Sequence, residues 1–276
     1  MRRIVAVGTL LVLVAAAPAQ DRLPASLPQV GIDQRLNEQV PLDLEFRDEA
    51  GRAARLGNYF QGKPVILVLA YFRCPMLCNQ VLNGLIDGLR EVPLDAGKDF
   101  QVVVVSFDAR EGPELAAAKK ATHVAAYGRP GAERGWHFLT GTQPAIDALA
   151  QAVGFRYVYD ARLDQFAHGS GILVLTPEGK ISRYLLGILY PARELRRALA
   201  EAAAERVGPP SVPLLLLCYE YDPATGQYTL VVMRLVRLVG VLTLGALGAF
   251  FVLARVRERR KSRRRLGEPP LNKYPA

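Results

Sequence analysis

Cys74 and Cys78 stand four residues apart, just after the apolar run Val65–Phe72, in a chain with only three cysteines. Two thiols this close in sequence could hold one soft metal ion or exchange electrons as a disulfide and a dithiol. The residues after the run have helical character, and on a helix positions i and i+4 share one face. A helix N-terminus also favours thiolate, because its free N–H groups and positive dipole end stabilise the anion. Cys74 follows the strand directly, so it is expected to be the more exposed, lower-pKa thiol of the pair. Pro75 favours an irregular first turn, which keeps a redox-labile bridge feasible although a regular turn would not bring the sulfurs to bonding geometry. The chemistry is soft metal, redox, or both.

Two thiolates leave a metal site short of ligands, and the sequence has three histidines. His123 falls late in a helical stretch. His137 lies in the apolar stretch Trp136-His137-Phe138-Leu139. His168 lies in Phe166-Ala167-His168-Gly169-Ser170-Gly171 and is expected on a glycine-flanked loop before a strand, where backbone can approach a ligand; it leads the three on that ground. Thiolates with one imidazole suit Cu(I) in trigonal geometry, whereas zinc usually takes a fourth ligand. Met76 is a possible extra soft ligand, but its side chain should diverge from the cysteine face, which makes it a contact residue.

The elements that must carry these side chains follow from apolar patterning. Val65–Phe72 and Val102–Phe107 are continuous apolar runs, as expected of central strands covered on both faces. Alternation over Leu42–Phe46 predicts an early half-buried strand. Leu77–Leu89, Pro113–Tyr127 and Pro144–Val153 have helical spacing, with Pro113 and Pro144 suited to first-turn positions. Phe155–Tyr159, Gly171–Leu175 and Ile181–Leu186 read as strands, the last two joined by a tight turn at Pro177–Lys180. Pro191–Ala204 reads as a closing helix. Strands alternating with helices predict an α/β fold with a mixed sheet. Residues 20–40 and 266–276 look loosely structured.

The ends of the chain predict where the chemistry happens. Met1-Arg2-Arg3, fourteen mostly apolar residues from Ile4 to Ala17, and Ala17-Pro18-Ala19 have the form of a signal peptide over residues 1–19. The stretch 235–254 is apolar apart from Arg237, and Leu238–Ala254 carries no charge, so it reads as a transmembrane helix. Eight basic residues between Arg255 and Arg265 then mark the cytoplasmic side, leaving residues 20–208 as an extracytoplasmic domain, 209–233 as a hairpin-like extension and 255–276 as a basic cytoplasmic tail. The formal net charge of +9 is misleading. Residues 255–276 hold nine basic and two acidic residues, and Arg2 and Arg3 supply the rest, so residues 20–254 are neutral. A neutral exported domain has no electrostatic pull on nucleic acid, and that class of partner is excluded. In the extension, Leu214–Tyr221 and Gln227–Met233 flank a turn, and Cys218 fits a small buried apolar position, with a thiol partner as the alternative.

Tyr71-Phe72-Arg73-Cys74-Pro75-Met76-Leu77-Cys78, Val104-Val105-Ser106-Phe107-Asp108, Trp136–Gly141 and Phe166-Ala167-His168 together resemble the Sco/SenC family in order and spacing, over roughly residues 28–204. These are membrane-tethered, thioredoxin-like proteins associated with copper delivery to cytochrome c oxidase. The resemblance implies a thioredoxin-like central mixed sheet flanked by helices. It implies copper as the bound metal, with Cys74, Cys78 and His168 as ligands, and a Cys74–Cys78 pair able to form a disulfide. It also implies a recipient at the binuclear copper site of an oxidase subunit, and a place on the inner (cell) membrane. Two features depart from the pattern: many members have an acidic residue between the cysteines and an N-terminal anchor, whereas this chain has Pro75-Met76-Leu77 and an expected C-terminal anchor. Two other functions remain open, a thiol–disulfide oxidoreductase that reduces the cysteines of the oxidase copper site and a copper or redox sensor.

Overall fold

The structure is a computed structural model that describes residues 29–74, 77–211, 221–222, 227–228 and 230–265. The chain divides into two units, Met1–Cys218 and Tyr219–Ala276. The first unit runs β1 (Gly31–Ile32), β2 (Glu45–Arg47), β3 (Ala53–Arg55), β4 (Val65–Ala70), α1 (Leu77–Arg90), β5 (Gln101–Ser106), α2 (Pro113–Tyr127), β6 (Trp136–Leu139), α3 (Gln143–Ala152), β7 (Phe155–Asp160), β8 (Gln165–His168), β9 (Gly171–Leu175), β10 (Ile181–Leu186) and α4 (Ala192–Ala203). It is an α/β unit built on a mixed sheet.

Its main sheet has the order β10-β9-β4-β5-β6. Strands β4, β5 and β6 are parallel, with Ala70 opposite Ser106 and Val105 opposite Leu139, while β9 runs antiparallel to both β4 and β10. Every residue of β4 and β5 is buried, which is why both read as unbroken apolar runs. Because β4 and β5 are adjacent and parallel, their carboxyl ends open side by side, at the edge where α/β sheets collect functional groups.

The helices follow the same logic. On α1, Val81, Leu82, Leu85, Ile86 and Leu89 are buried in one stripe, and Arg90 in the last turn suits the negative end of the helix dipole. Its outer side is met by backbone: a Cβ at Gly84 would lie 1.9 Å from the Ile188 carbonyl oxygen, and one at Gly88 would lie 2.1 Å from that of Tyr190. The 187–190 segment therefore seats on α1 where side chains are missing. Helix α2 starts at Pro113 and stops at Gly128 in the left-handed conformation, φ +71°.

Several strands differ from expectation. The early strand lies later, at Glu45–Arg47, with Phe46 as its buried residue, because the Asp48 carboxylate accepts the Ala50 and Arg52 N–H groups and closes a hairpin to β3. Strand β6 forms from the Trp136–Leu139 stretch. Strand β8 pairs with β7, placing Tyr157 opposite His168. His168 thus ends a strand instead of sitting in a loop. Strand β1 pairs with β7 as well, giving a second sheet in the order β1-β7-β8. Residues from Val30 are also packed, Val30 and Val40 being buried, so the expectation of loose structure fails for the 30–40 part. The remainder of that stretch before Gln29, and the expected signal peptide, lie outside the described residues.

In the second unit, β11 (Tyr221–Asp222) pairs antiparallel with β12 (Gln227–Tyr228), a hairpin shorter than the flanking runs predicted. Helix α5 (Leu230–Arg265) follows. It absorbs the expected second arm beyond Tyr228 and continues through the basic residues to Arg265. Within it, Leu238–Arg255 has a mean hydropathy of 2.0 and is long and apolar enough to cross a membrane. Cys218 and the 266–276 tail lie outside the described residues.

Candidate metal centre

The two cysteines come from the junction between the central strand and its helix. After β4 the chain turns: the Cys74 N–H donates to the Tyr71 carbonyl at 3.2 Å. Cys74 therefore precedes the helix, and Cys78 lies in the first turn of α1. The expectation of two sulfurs on one helical face is replaced by one sulfur on a turn and one on the helix. Nor does exposure separate them, since Cys74 is 5% and Cys78 3% accessible. The expected greater accessibility of Cys74 is not found, because the same turn that removes it from the helix tucks it into the core.

His168 arrives from the β7–β8 hairpin and is 2% accessible. Its Nε2 lies 3.2 Å from the Cys78 Sγ, and its Nδ1 donates to the Gly169 carbonyl at 2.8 Å. With Nδ1 held by the Gly169 carbonyl, Nε2 is the ring nitrogen left to face the Cys78 sulfur. One ligand atom from each of Cys74, Cys78 and His168 lies within 4.8 Å of the others, and all three residues are buried. Metal bonds of about 2.0–2.3 Å put ligand atoms roughly 3.5–4 Å apart, so the three could close on an ion with a sub-ångström adjustment. Two sulfurs and one imidazole nitrogen are soft to borderline donors, suited to Cu(I) or zinc and poorly suited to magnesium or calcium.

The surroundings are aromatic. The His168 ring lies 5.1 Å from that of Phe107, 5.8 Å from Phe155 and 6.1 Å, edge-on, from Tyr71. The Tyr71 hydroxyl hydrogen-bonds the Cys74 side chain, and burial first, then the Cys74 sulfur, push its phenol well above the ordinary range. Tyr71 therefore stays protonated, a donor next to a sulfur acceptor.

The other histidines are elsewhere. His123 is buried on α2, with Nδ1 donating to the Lys119 carbonyl at 2.8 Å, and burial lowers its pKa. His137 on β6 meets Gln101 Oε1 at 3.1 Å, and burial together with Lys120 lowers its pKa to about 4. Met76 lies outside the described residues.

Sequence reasoning missed the polar groups that hold the thiol turn. The Glu111 carboxylate, 4% accessible, accepts the N–H groups of Phe72 and Arg73 at 2.7 Å each and the Ser106 hydroxyl at 2.6 Å. Asn79 Nδ2 donates to the Cys74 carbonyl at 3.2 Å, and Lys119 Nζ supports Asn79 at 3.0 Å. The signal for Glu111 was its place just beyond a buried strand that neighbours the cysteine strand. No acid lies between the cysteines, but one reaches their turn from the loop after β5.

The SCO1/SenC family profile matches residues 33–204. No match was found among curated proteins. Among solved structures, an Aquifex aeolicus putative electron transfer protein is 28% identical, with 62% of this chain and 95% of that chain covered and a TM-score of 0.54. A SCO1/SenC family lipoprotein from Bacillus anthracis is 18% identical over 62% and 99%, with a TM-score of 0.50, a likeness of fold. ScoI of Bradyrhizobium japonicum, solved with copper bound, is 18% identical over 58% and 96%, with a TM-score of 0.45. The profile spans well over half of the sequence and takes in all three clustered residues, so the chain belongs to the SCO1/SenC family.

Proposed function

We propose that this chain binds copper through Cys74, Cys78 and His168 and hands it to the binuclear copper site of a cytochrome c oxidase subunit during assembly. The observation that carries the reading is the buried group of two sulfurs and one nitrogen, drawn from a strand end, a helix start and a separate hairpin. Such a donor set favours Cu(I), and a three-coordinate ion leaves one face open to an incoming thiolate. Copper is the cargo: ligands exchange one at a time between donor and recipient, so no free ion is released. Loading displaces whatever protons the two sulfurs and Nε2 carry. The apolar Leu238–Arg255 helix followed by basic residues supports tethering to the inner membrane, with the folded unit on the extracytoplasmic side and the C-terminus in the cytosol.

A second reading, thiol–disulfide exchange that keeps the recipient's cysteines reduced, is favoured by one observation: Cys74 lies outside the regular helix, within 4.8 Å of Cys78. The two readings part at His168. In a strain lacking this protein, oxidase activity should be low and partly restored by added copper. Copper delivery requires the His168→Ala chain to fail to complement nearly as badly as Cys74→Ser. Full complementation by His168→Ala, with both cysteine variants inactive, would select thiol exchange. Reporters fused after Ala276 and near Pro209 should be active on opposite sides of the membrane; activity on one side only would refute the tether.

A further inference from the structure

The sulfurs follow β4, and the imidazole ends β8, separated by Gly169 and Ser170 from β9, which pairs with β4; Nε2 of His168 meets Sγ of Cys78 at 3.2 Å. The Ser106–Glu111 loop connects them a second time, on the side away from β9. Ser106 ends β5 opposite Ala70, so the loop leaves the sheet beside the thiol turn. Inward, Glu111 grips that turn through the two N–H groups of Phe72 and Arg73. Outward, Arg110 grips the hairpin. Its guanidinium donates to both oxygens of the buried Asp108 at 2.8 Å, and to Asp164 at 2.8 Å and the Tyr159 hydroxyl at 3.2 Å. It also lies over the Tyr159 and Phe166 rings, 4.8 and 5.6 Å from their centroids. Tyr159, Asp164 and Phe166 belong to the β7–β8 hairpin that ends in His168. The halves are tied together in turn: Ser106 Oγ donates to Glu111 and accepts the Asp108 N–H at 3.1 Å.

We propose that Ser106–Glu111 is a two-armed clasp that sets the distance between the thiol turn and the His168 hairpin, with Glu111 and Arg110 as positioning residues for the metal site. The proposal rests on the copper reading for its consequence but not for its geometry. The arms act on different donors. Arg110 fixes the imidazole and leaves the sulfurs alone; Glu111 fixes the Cys74 turn. Lysine cannot replace Arg110, because one ammonium cannot hold two carboxylates and a hydroxyl in a planar fork.

The test uses the full chain, reduced and metal-free in detergent, with three readouts: amide hydrogen exchange, Cu(I) affinity by chelator competition, and the dithiol–disulfide potential. Arg110→Ala should speed exchange across Tyr157–His168 by at least about tenfold while α1 stays protected. It should weaken Cu(I) binding by about tenfold, the scale of losing an outer-shell partner, with the dithiol potential unchanged. Arg110→Lys should rescue neither, and Arg110→Ala should add nothing to His168→Ala. Glu111→Gln should instead speed exchange at Phe72 and Arg73 and shift the dithiol potential. Unchanged hairpin protection in Arg110→Ala, or a potential shift as large as that in Glu111→Gln, would overturn the clasp. Should Arg110→Ala not fold, Tyr159→Phe combined with Asp164→Ala removes both hydrogen-bond acceptors that the hairpin offers Arg110 and must reproduce the hairpin effect. A wild-type chain that binds no Cu(I) would sink the copper reading, while the metal-free exchange data would still decide the clasp.

Discussion

Cys74 and Cys78 hang from β4 and α1, whose inward residues are fully buried, whereas His168 hangs from a hairpin whose other residues include Tyr159, 42% accessible, and Asp164, with a side chain 72% accessible. The thiol side is held by the hydrophobic core. The imidazole side reaches the same core through Phe155, Tyr157 and Phe166, but its outer end is held by polar and aromatic contacts at the surface. Damage near the thiols should therefore appear as lost stability, and damage near the hairpin as lost metal affinity in a protein that still folds.

The most severe test removes donors. Cys74→Ser and Cys78→Ser should each weaken Cu(I) binding far more than the roughly 100-fold that an outer-shell change costs, and His168→Ala should follow, with His123→Ala and His137→Ala near wild type. Chelator competition measures all five, and copper retention by His168→Ala would break the pairing of the two regions. Next, Gly84→Ala puts a methyl against the Ile188 carbonyl and should cost about 3 kcal/mol in urea unfolding, an overpacking effect confined to the thiol side. A neutral result there would mean that the 187–190 segment is not seated on α1.

Acid sensitivity should also separate the regions. His137, on the sheet, has its folded pKa lowered to about 4, so the unfolded chain takes up a proton first as pH falls. Stability should therefore decline from about pH 6.5 to about pH 4, by about 1–3 kcal/mol from His137 given its partial burial, and His137→Phe should reduce that limb, leaving the part that buried His123 contributes. The hairpin responds later. Asp164 has its carboxyl pKa lowered by the Tyr159 hydroxyl and Arg110, so its contribution is present above the ordinary carboxylate range and is lost only as pH falls through it. A stability curve flat from pH 6.5 to 4 would contradict this order. The smallest effect belongs to Tyr159→Phe, which should stay within about 0.5 kcal/mol because the ring remains and only exposed polar contacts go.

The same division explains what could be read from the sequence. Strands β4, β5, β9 and β10 and helices α1 to α4 announce themselves because burial on two faces, or on one stripe, leaves a continuous or periodic apolar signal. Strand β6 is four residues with a histidine inside, and β8 is Gln165–His168 between polar and glycine-rich flanks, so neither has a period long enough to register. The cysteine pair is visible by type and spacing. The Glu111 and Arg110 contacts are not, because they join residues 38 to 54 positions apart through polar groups that local pattern treats as solvated. The early strand was misplaced because the Asp48 turn, not the Leu42–Leu44 alternation, sets its register.

The carbonyl that accepts from His168 Nδ1 belongs to Gly169, the next residue, so the group that orients the imidazole comes with the imidazole itself. A ligand oriented from another element would depend on the position of that element as well as its own. His168 carries its own orienting group, and Nε2 is left as the nitrogen that faces the sulfurs.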